Sequence, residues 1–270
     1  MSEKGDITRF TAVDQQRDPN YFIRFLDTGN AIPDVLRIKA TMHSRLGLRE
    51  GLTLLDVGCG TGDDARSLAQ LLGTCGTVVG LDFSGAMITE AQRRHSESGL
   101  PIEFEQGDVQ NLRFADASFD RCRSERTLMH VDDPVRALNE MMRVLRPGGR
   151  IVIFDFDWDT MFVDSPYKST TRTVVRSFSD GIKQGWIGRS LPRMFKEAGL
   201  THVLAEPHPV RFPNCAFAHR LLDAHLSQAV AAGALPEKEL SSWWKDLERA
   251  EEQGHFLAGL AGFVVSATKP

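Results

Sequence analysis

The sequence predicts an α/β fold, a doubly wound and mostly parallel seven-stranded sheet with an antiparallel last strand, and three observations carry the prediction. From residue 52 to about 154, apolar runs of strand length alternate with segments of helical spacing, the pattern of parallel strands joined by right-handed crossovers. The first run stops in glycines, L-D-V-G-C-G-T-G at 55–62, directly before a helical stretch. Two separated strand candidates close the chain at 202–212 and 256–268 and suit an antiparallel pair added to that sheet.

The elements follow in order. Residues 52–57 form the first strand, and 64–72 place apolar residues at helical spacing. Residues 77–81 form the second strand, followed by a helix over 86–98 that Gly99 terminates and Ser84 caps. Residues 102–106 make the third strand and 119–123 the fourth. A helix over 134–145 has Asp133 as cap and Pro134 in its first turn, and 150–154 is the fifth strand. A mixed polar and aromatic segment then runs to about residue 188, with a helix at 191–198. Residues 1–45 read as an N-terminal helical lid segment, and 46–270 as one domain with a helical insertion at about 214–252; both extra segments are candidates for a cap over a pocket.

Composition excludes several classes. The 270 residues are 41% hydrophobic and 25% charged, with a formal net charge of −4; this is a chain that buries a core, and it lacks the basic stripe of a nucleic-acid binder. Cys59, Cys75, Cys122 and Cys215 are far apart with no zinc spacing, and read as reduced thiols of a cytoplasmic protein. The N-terminal residues lack a signal peptide's apolar stretch, and no run approaches the roughly 20 apolar residues of a membrane span.

Chemistry is expected at the carboxyl ends of the strands. Gly58, Gly60 and Gly62 let the backbone turn sharply and approach a ligand. In a dinucleotide-binding loop, G-x-G-x-x-G, the third glycine falls where this chain has Asp63. Asp56 before the glycines, with Asp63 and Asp64 after them, suits a positively charged ligand better than a pyrophosphate. Asp82 ends the second strand, where a carboxylate accepts bonds from both hydroxyls of a ribose; the plainer reading is a helix cap. Asp108, in Q-G-D-V, follows the third strand as either a turn residue or a ligand contact.

The order D-V-G-C-G-T-G, G-L-D-F-S, Q-G-D-V and R-V-L-R-P-G-G-R resembles the class I S-adenosylmethionine-dependent methyltransferases, a Rossmann-like family, over residues 52 to about 155. More narrowly it resembles the branch holding ubiquinone and menaquinone methyltransferases and many small-molecule enzymes. The resemblance implies S-adenosylmethionine as cofactor, with Gly58, Gly60 and Gly62 along its methionine part and Asp82 on its ribose. It also implies Phe83 packing on the adenine, Asp108 at the adenine amino group, Val109 over the base, and Ser124 to Arg126 facing the methionine end and the acceptor.

The acceptor side is read from residue types. His130, in R-T-L-M-H-V-D-D, is the candidate base, since imidazole is largely neutral at pH 7; the alternative is a structural residue packing the loop onto the next helix. Asp155, Asp157 and Asp159 alternate onto one side of an extended segment and suggest substrate contact, capping or, less readily, a metal. Metal is not expected. Trp158 and Tyr167 are candidates for an aromatic wall, and Tyr21, in a stretch with Phe22 and Phe25, for a lid contact on the cofactor. Arg37, Arg45, Arg126 and Arg189 are candidates for pairing with an acidic substrate group. Trp243 and Trp244 read as helix packing or a subunit contact. The expected partner is a small-molecule acceptor, with no nucleic acid or membrane, in a monomer or homodimer. The competing function is an S-adenosylmethionine-binding protein of the same fold that catalyses a reaction other than methylation, such as cyclisation.

Overall fold

The computed structural model describes residues 7–16 and 18–270. After a 3-10 segment, Ile7–Gln15, come helices α1 (Pro19–Asn30) and α2 (Pro33–Leu46). The alternating region holds β1 (Thr53–Val57), α3 (Ala65–Leu72), β2 (Thr77–Asp82), α4 (Gly85–His95), β3 (Ile102–Gln106), β4 (Phe119–Glu125), α5 (Pro134–Val144) and β5 (Leu145–Val163). The remainder is α6 (Lys168–Gly181), α7 (Ile187–Glu197), β6 (Thr201–Arg211), α8 (Cys215–Ala231), α9 (Glu237–Glu252) and β7 (Ala258–Thr268). The sheet order is β3-β2-β1-β4-β5-β7-β6. The first five strands are mutually parallel, and β7 runs antiparallel to both β5 and β6. The strand order reverses beside β1, so the crevice above β1 and β4 is the expected ligand position.

Packing explains the layers. Central strands are covered on both faces and read as continuous apolar runs; Leu54, Leu55, Ile151, Val152 and Ile153 are fully buried. The outer strand β6 carries Pro207 and Pro209 at the sheet edge, where a missing donor is tolerated. Ser84 caps α4 through the Met87 amide, and Asp133 caps α5 through that of Arg136, as their sequence positions require.

Three expectations need correction. The fifth strand runs well beyond residue 154, because pairing with β7 continues through Asp157 and resumes at Phe162. The polar segment before residue 188 contains α6, whose Val174 and Phe178 are buried. The N-terminal 45 residues are not one lid: α2 buries Val35, Ile38, Met42 and Leu46 against the sheet, leaving the 3-10 segment and α1 as the cover.

Candidate functional site

A cavity of about 520 Å³ opens over the carboxyl ends of β1, β2 and β4 and is roofed by the 3-10 segment, α1 and α8. That volume is within the roughly 300–1,000 Å³ of small-molecule sites.

At one end the β1–α3 loop is pinned to β2, with the Gly58 and Cys59 amides donating to the Leu81 carbonyl at 2.7 and 3.1 Å. Gly58 has φ +72°, and a Cβ there would sit 2.0 Å from Thr127 Oγ1, so conformation and space both demand glycine. Gly60 continues the turn on the cavity side, whereas Gly62, expected along the cofactor, does not line the cavity: at φ +75° a Cβ there would sit 2.7 Å from the Phe104 ring, so this glycine lets the loop pack against β3. Asp82 accepts from the Gly60 amide at 2.8 Å and the Ser84 amide at 2.9 Å. Burial pushes its carboxyl up, against the pull of these backbone donors. A carboxylate offers about four acceptor positions, so the backbone donors leave capacity for a ligand hydroxyl. Phe83 is 61% exposed beside it, and Asp108 and Val109 continue the wall. Asp108 also accepts from the Gln110 amide at 2.8 Å and caps a short turn, as its turn reading expects, while lining the cavity. The cradle and the Asp82 carboxylate fit an adenosine bearing an amino-acid tail.

The acids around the glycines do not act as expected. Asp64 pairs with Arg123 at 2.9 Å and with Lys39, Asp56 pairs with Arg123 at 3.3 Å, and Asp63 pairs with Arg94 at 2.9 Å. Glu125 accepts from Arg123 at 2.6 Å and Lys39 at 2.9 Å. Burial works against the charge on Asp64, but Arg123 and Lys39 outweigh it and hold the carboxyl low. Burial lifts Asp56 to about 6 despite Arg123. These acids are thus held by the chain's own cations, and Asp56, though it lines the cavity, is first a partner of Arg123. Such pairing is required of charges at this depth.

The opposite end is aromatic. Phe10, Phe25, Phe156, Trp158, Phe212 and Phe217 line it, with His130 among them. The His130 ring lies 5.5 Å from that of Phe10, and burial, aided by the Lys183 charge, lowers its pKa to about 4. Trp158 is a wall residue as expected, while Tyr167 does not line the cavity.

Register overturns two expectations here. Ser124 pairs with Ile153 and Glu125 with Phe154, so Arg123, Glu125, Phe156 and Trp158 share one face while Ser124, Asp155 and Asp157 share the other. Ser124 is fully buried and does not line the cavity. Asp155 accepts from the Leu128 amide at 3.0 Å, and burial lifts it to about 8. Asp157 is held by Arg189 of α7, and Asp159 lies 3.6 Å from the same guanidinium. None of the three aspartates lines the cavity, and Asp155 and Asp157 lie on the sheet face away from Phe156 and Trp158. Tyr21 also misses the cavity: its hydroxyl donates to the Arg220 carbonyl at 3.4 Å, and Phe25 and Leu26 of the same helix face inward instead. Among the four arginines only Arg126 lines the cavity; Arg37, Arg45 and Arg189 pair with Asp34, Glu206 and Asp157. Trp243 donates to Thr171 Oγ1 at 2.9 Å and Trp244 stacks on His219 at 3.8 Å, so both pack helices.

Sequence reasoning missed Asp14, Lys39, Arg123 and Thr127. Asp14 accepts from the Gly85 amide at 2.8 Å and the Ala86 amide at 3.2 Å, reinforcing α4 from the N-terminal segment. No local pattern links residues 70 positions apart. The one available signal was charge within a strand, since Arg123 and Glu125 in C-R-S-E demand partners once buried. Among the described residues, no group of His, Cys, Asp and Glu could hold a metal ion, and no helix is long and apolar enough to cross a membrane.

A family profile described as a methyltransferase domain matches residues 48–199. An uncharacterized 37.1 kDa protein in transposon TN4556 of Streptomyces fradiae is 37% identical over 232 residues, 85% of this chain and 66% of that protein. The ubiquinone/menaquinone biosynthesis C-methyltransferase of Bdellovibrio bacteriovorus is 44% identical over 110 residues, 41% of this chain and 46% of the relative. The chain thus spans just under two thirds of the first relative's length and about half of the second's. The [4+2]-cyclase SpnF superposes with a TM-score of 0.55 at 24% identity, covering 87% of this chain and 80% of the cyclase; at that identity the likeness is one of fold.

Proposed function

We propose that this chain, which belongs to the class I S-adenosylmethionine-dependent methyltransferases, transfers a methyl group to a small acceptor with a flat, apolar, quinone-like or phenolic body. The observation that carries the reading is the glycine cradle facing Asp82 at one end of a cavity whose other end is walled by aromatic rings. A resemblance to quinone C-methyltransferases over 41% of the chain supports the acceptor class. The four cysteines carry no disulfide among the described residues, which suits a cytoplasmic site of action. The protein acts as a monomer or homodimer.

When bound, the cofactor supplies a methyl group on a sulfonium, open to in-line displacement. The chain's own task is placement. Asp82 takes the ribose hydroxyls, the Gly58–Gly62 backbone admits the amino-acid tail, and Phe83 and Val109 enclose the base. Asp56 and Asp108 complete the lining, and Phe10 and Phe25 exclude water from above. Holding acceptor and methyl in line is worth up to about 7–11 kcal/mol. His130, neutral at pH 7, takes a proton from an acceptor hydroxyl if the acceptor atom carries one, or otherwise orients it.

The SpnF likeness leaves cyclisation on the same scaffold as a second reading, supported by the fold alone. Calorimetric titration of the whole chain with S-adenosylmethionine, S-adenosylhomocysteine and NAD tests the cofactor; micromolar binding of the two sulfur compounds and none of NAD is expected. Methyl transfer to a panel of hydroquinones and phenols then separates the two reactions. NAD binding alone would sink the proposal.

A further inference from the structure

Arg126 stands out among the residues of the cavity. It has φ +55°, a left-handed conformation without glycine, and such outliers persist where surrounding contacts insist on them. The contacts are visible. Glu125 Oε1 holds Nε at 3.1 Å and Nη2 at 2.9 Å, and Nη2 also donates to Asn30 at the end of α1. Asn30 in turn donates to Asp63 of the glycine loop. One edge of the guanidinium is thereby locked, while Nη1 donates to nothing among the described residues.

The other cations of the cavity are committed. Lys39 serves Asp64 and Glu125, Arg123 serves Asp56, Asp64 and Glu125, and Lys183 pairs with Asp132. Glu125 is shared among three cations, so it cannot neutralise Arg126 alone. Lys39 and Arg123 are held by Asp56, Asp64 and Glu125, which leaves the Nη1 edge of Arg126 as the unengaged donor face of the cluster. Arg126 therefore brings to the cavity a guanidinium of which only one edge is engaged.

We infer that Arg126 is the anion anchor of the cavity, its free Nη1 taking a carboxylate or comparably charged oxygen of a bound ligand. The inference rests on the cofactor reading above. Two ligands present that chemistry at this position, because Asn30 ties Arg126 to the loop that admits the cofactor's tail while Arg126 lines the same cavity as the aromatic wall. They are the amino-acid carboxylate of the cofactor and an acidic group on the acceptor. Charge-assisted bonds from a pre-oriented guanidinium are the strong kind.

The test uses the whole chain, Arg126→Gly, which suits the positive φ and leaves Glu125 its bonds to Lys39 and Arg123, and Arg126→Lys. Calorimetry compares S-adenosylhomocysteine with methylthioadenosine, which lacks the amino-acid tail. With S-adenosylhomocysteine bound, it then compares hydroxynaphthoate with hydroxynaphthamide. Arg126→Gly is expected to weaken the tailed nucleoside about tenfold or more relative to the tailless one, which assigns the anion to the cofactor, or the acid relative to its amide, which assigns it to the acceptor. Arg126→Lys should recover part of the loss. If neither ratio changes in Arg126→Gly, the inference is overturned while the cofactor reading stands. If the unsubstituted chain binds neither nucleoside, the cofactor reading fails and takes the inference with it.

Discussion

The two ends of the cavity are built by different means. The cofactor end uses three short segments, residues 55–64, 80–84 and 106–110, each at the tip of one strand and each contributing backbone amides or a single carboxylate. The acceptor end gathers side chains from the 3-10 segment, α1, β4, β5 and α8 and the turn after β6, from Phe10 to Phe217. The cofactor end depends on backbone conformation, which tolerates little substitution. The acceptor end depends on side-chain packing, which can be refilled with other apolar residues at modest cost.

Five substitutions probe that contrast. Gly58→Ala attacks the backbone end most severely. Left-handed strain of about 1–2 kcal/mol and overpacking against Thr127 of about 1–3 kcal/mol should together remove about 2–5 kcal/mol from folding or cofactor binding, read by thermal melting and calorimetry. A stable, cofactor-binding alanine variant would break the contrast. His130→Ala should retain cofactor and slow turnover by about 10²-fold, the lower end of general-base assistance, since a base of pKa about 4 is weak. The same low value keeps the imidazole neutral above about pH 4, so the rate should show no inflection near 6.5; a histidine-like step there would contradict the burial of the ring. Asp82→Ala should weaken S-adenosylhomocysteine by about 1.5–3 kcal/mol, about ten- to 150-fold, and unchanged affinity would remove Asp82 from the ribose site.

Asp155 sets a pH-dependent effect on the sheet face away from the cavity. Its folded carboxyl holds a proton up to about 8, against an ordinary value of 3.8. The folded chain therefore binds more protons than the unfolded one between these values, and the resulting stability, complete below pH 3.8, is lost as pH rises through 8. Asp155→Asn removes the titration, so its stability relative to the parent should rise from pH 4 to 8, read as a melting-temperature difference that grows with pH. A constant difference would show that the carboxyl is ionised throughout. Tyr21→Phe should change cofactor affinity by less than about 0.5 kcal/mol, because its hydroxyl meets a backbone carbonyl outside the cavity.

Legibility in the chain followed the same division. That Gly58, Gly60, Asp82, Phe83, Asp108 and Val109 meet at one cavity was readable because each is fixed by its place at a strand end. Tyr21 and Phe25 were indistinguishable as lid residues by helical spacing alone, and tertiary docking of α1 turned Phe25 inward. Of four candidate arginines, three found acidic partners on distant elements, and only contact across the fold leaves Arg126 at the cavity. Asp155 and Asp157 share a face as their alternation expects, and Asp157 and Asp159 meet at Arg189, but which face that is depends on the register of β5 against its neighbours.

Strand and helix order, the crossover sense and the cofactor end follow from local rules, since alternating periodicity, capping residues and glycine conformations act within a few residues of one another. The composition of the acceptor wall, the partners of Asp56, Asp63 and Asp64, and the freedom of Arg126 were settled only by tertiary packing. A buried charge must find its opposite wherever the fold brings one, and sheet register decides which side chains share a face.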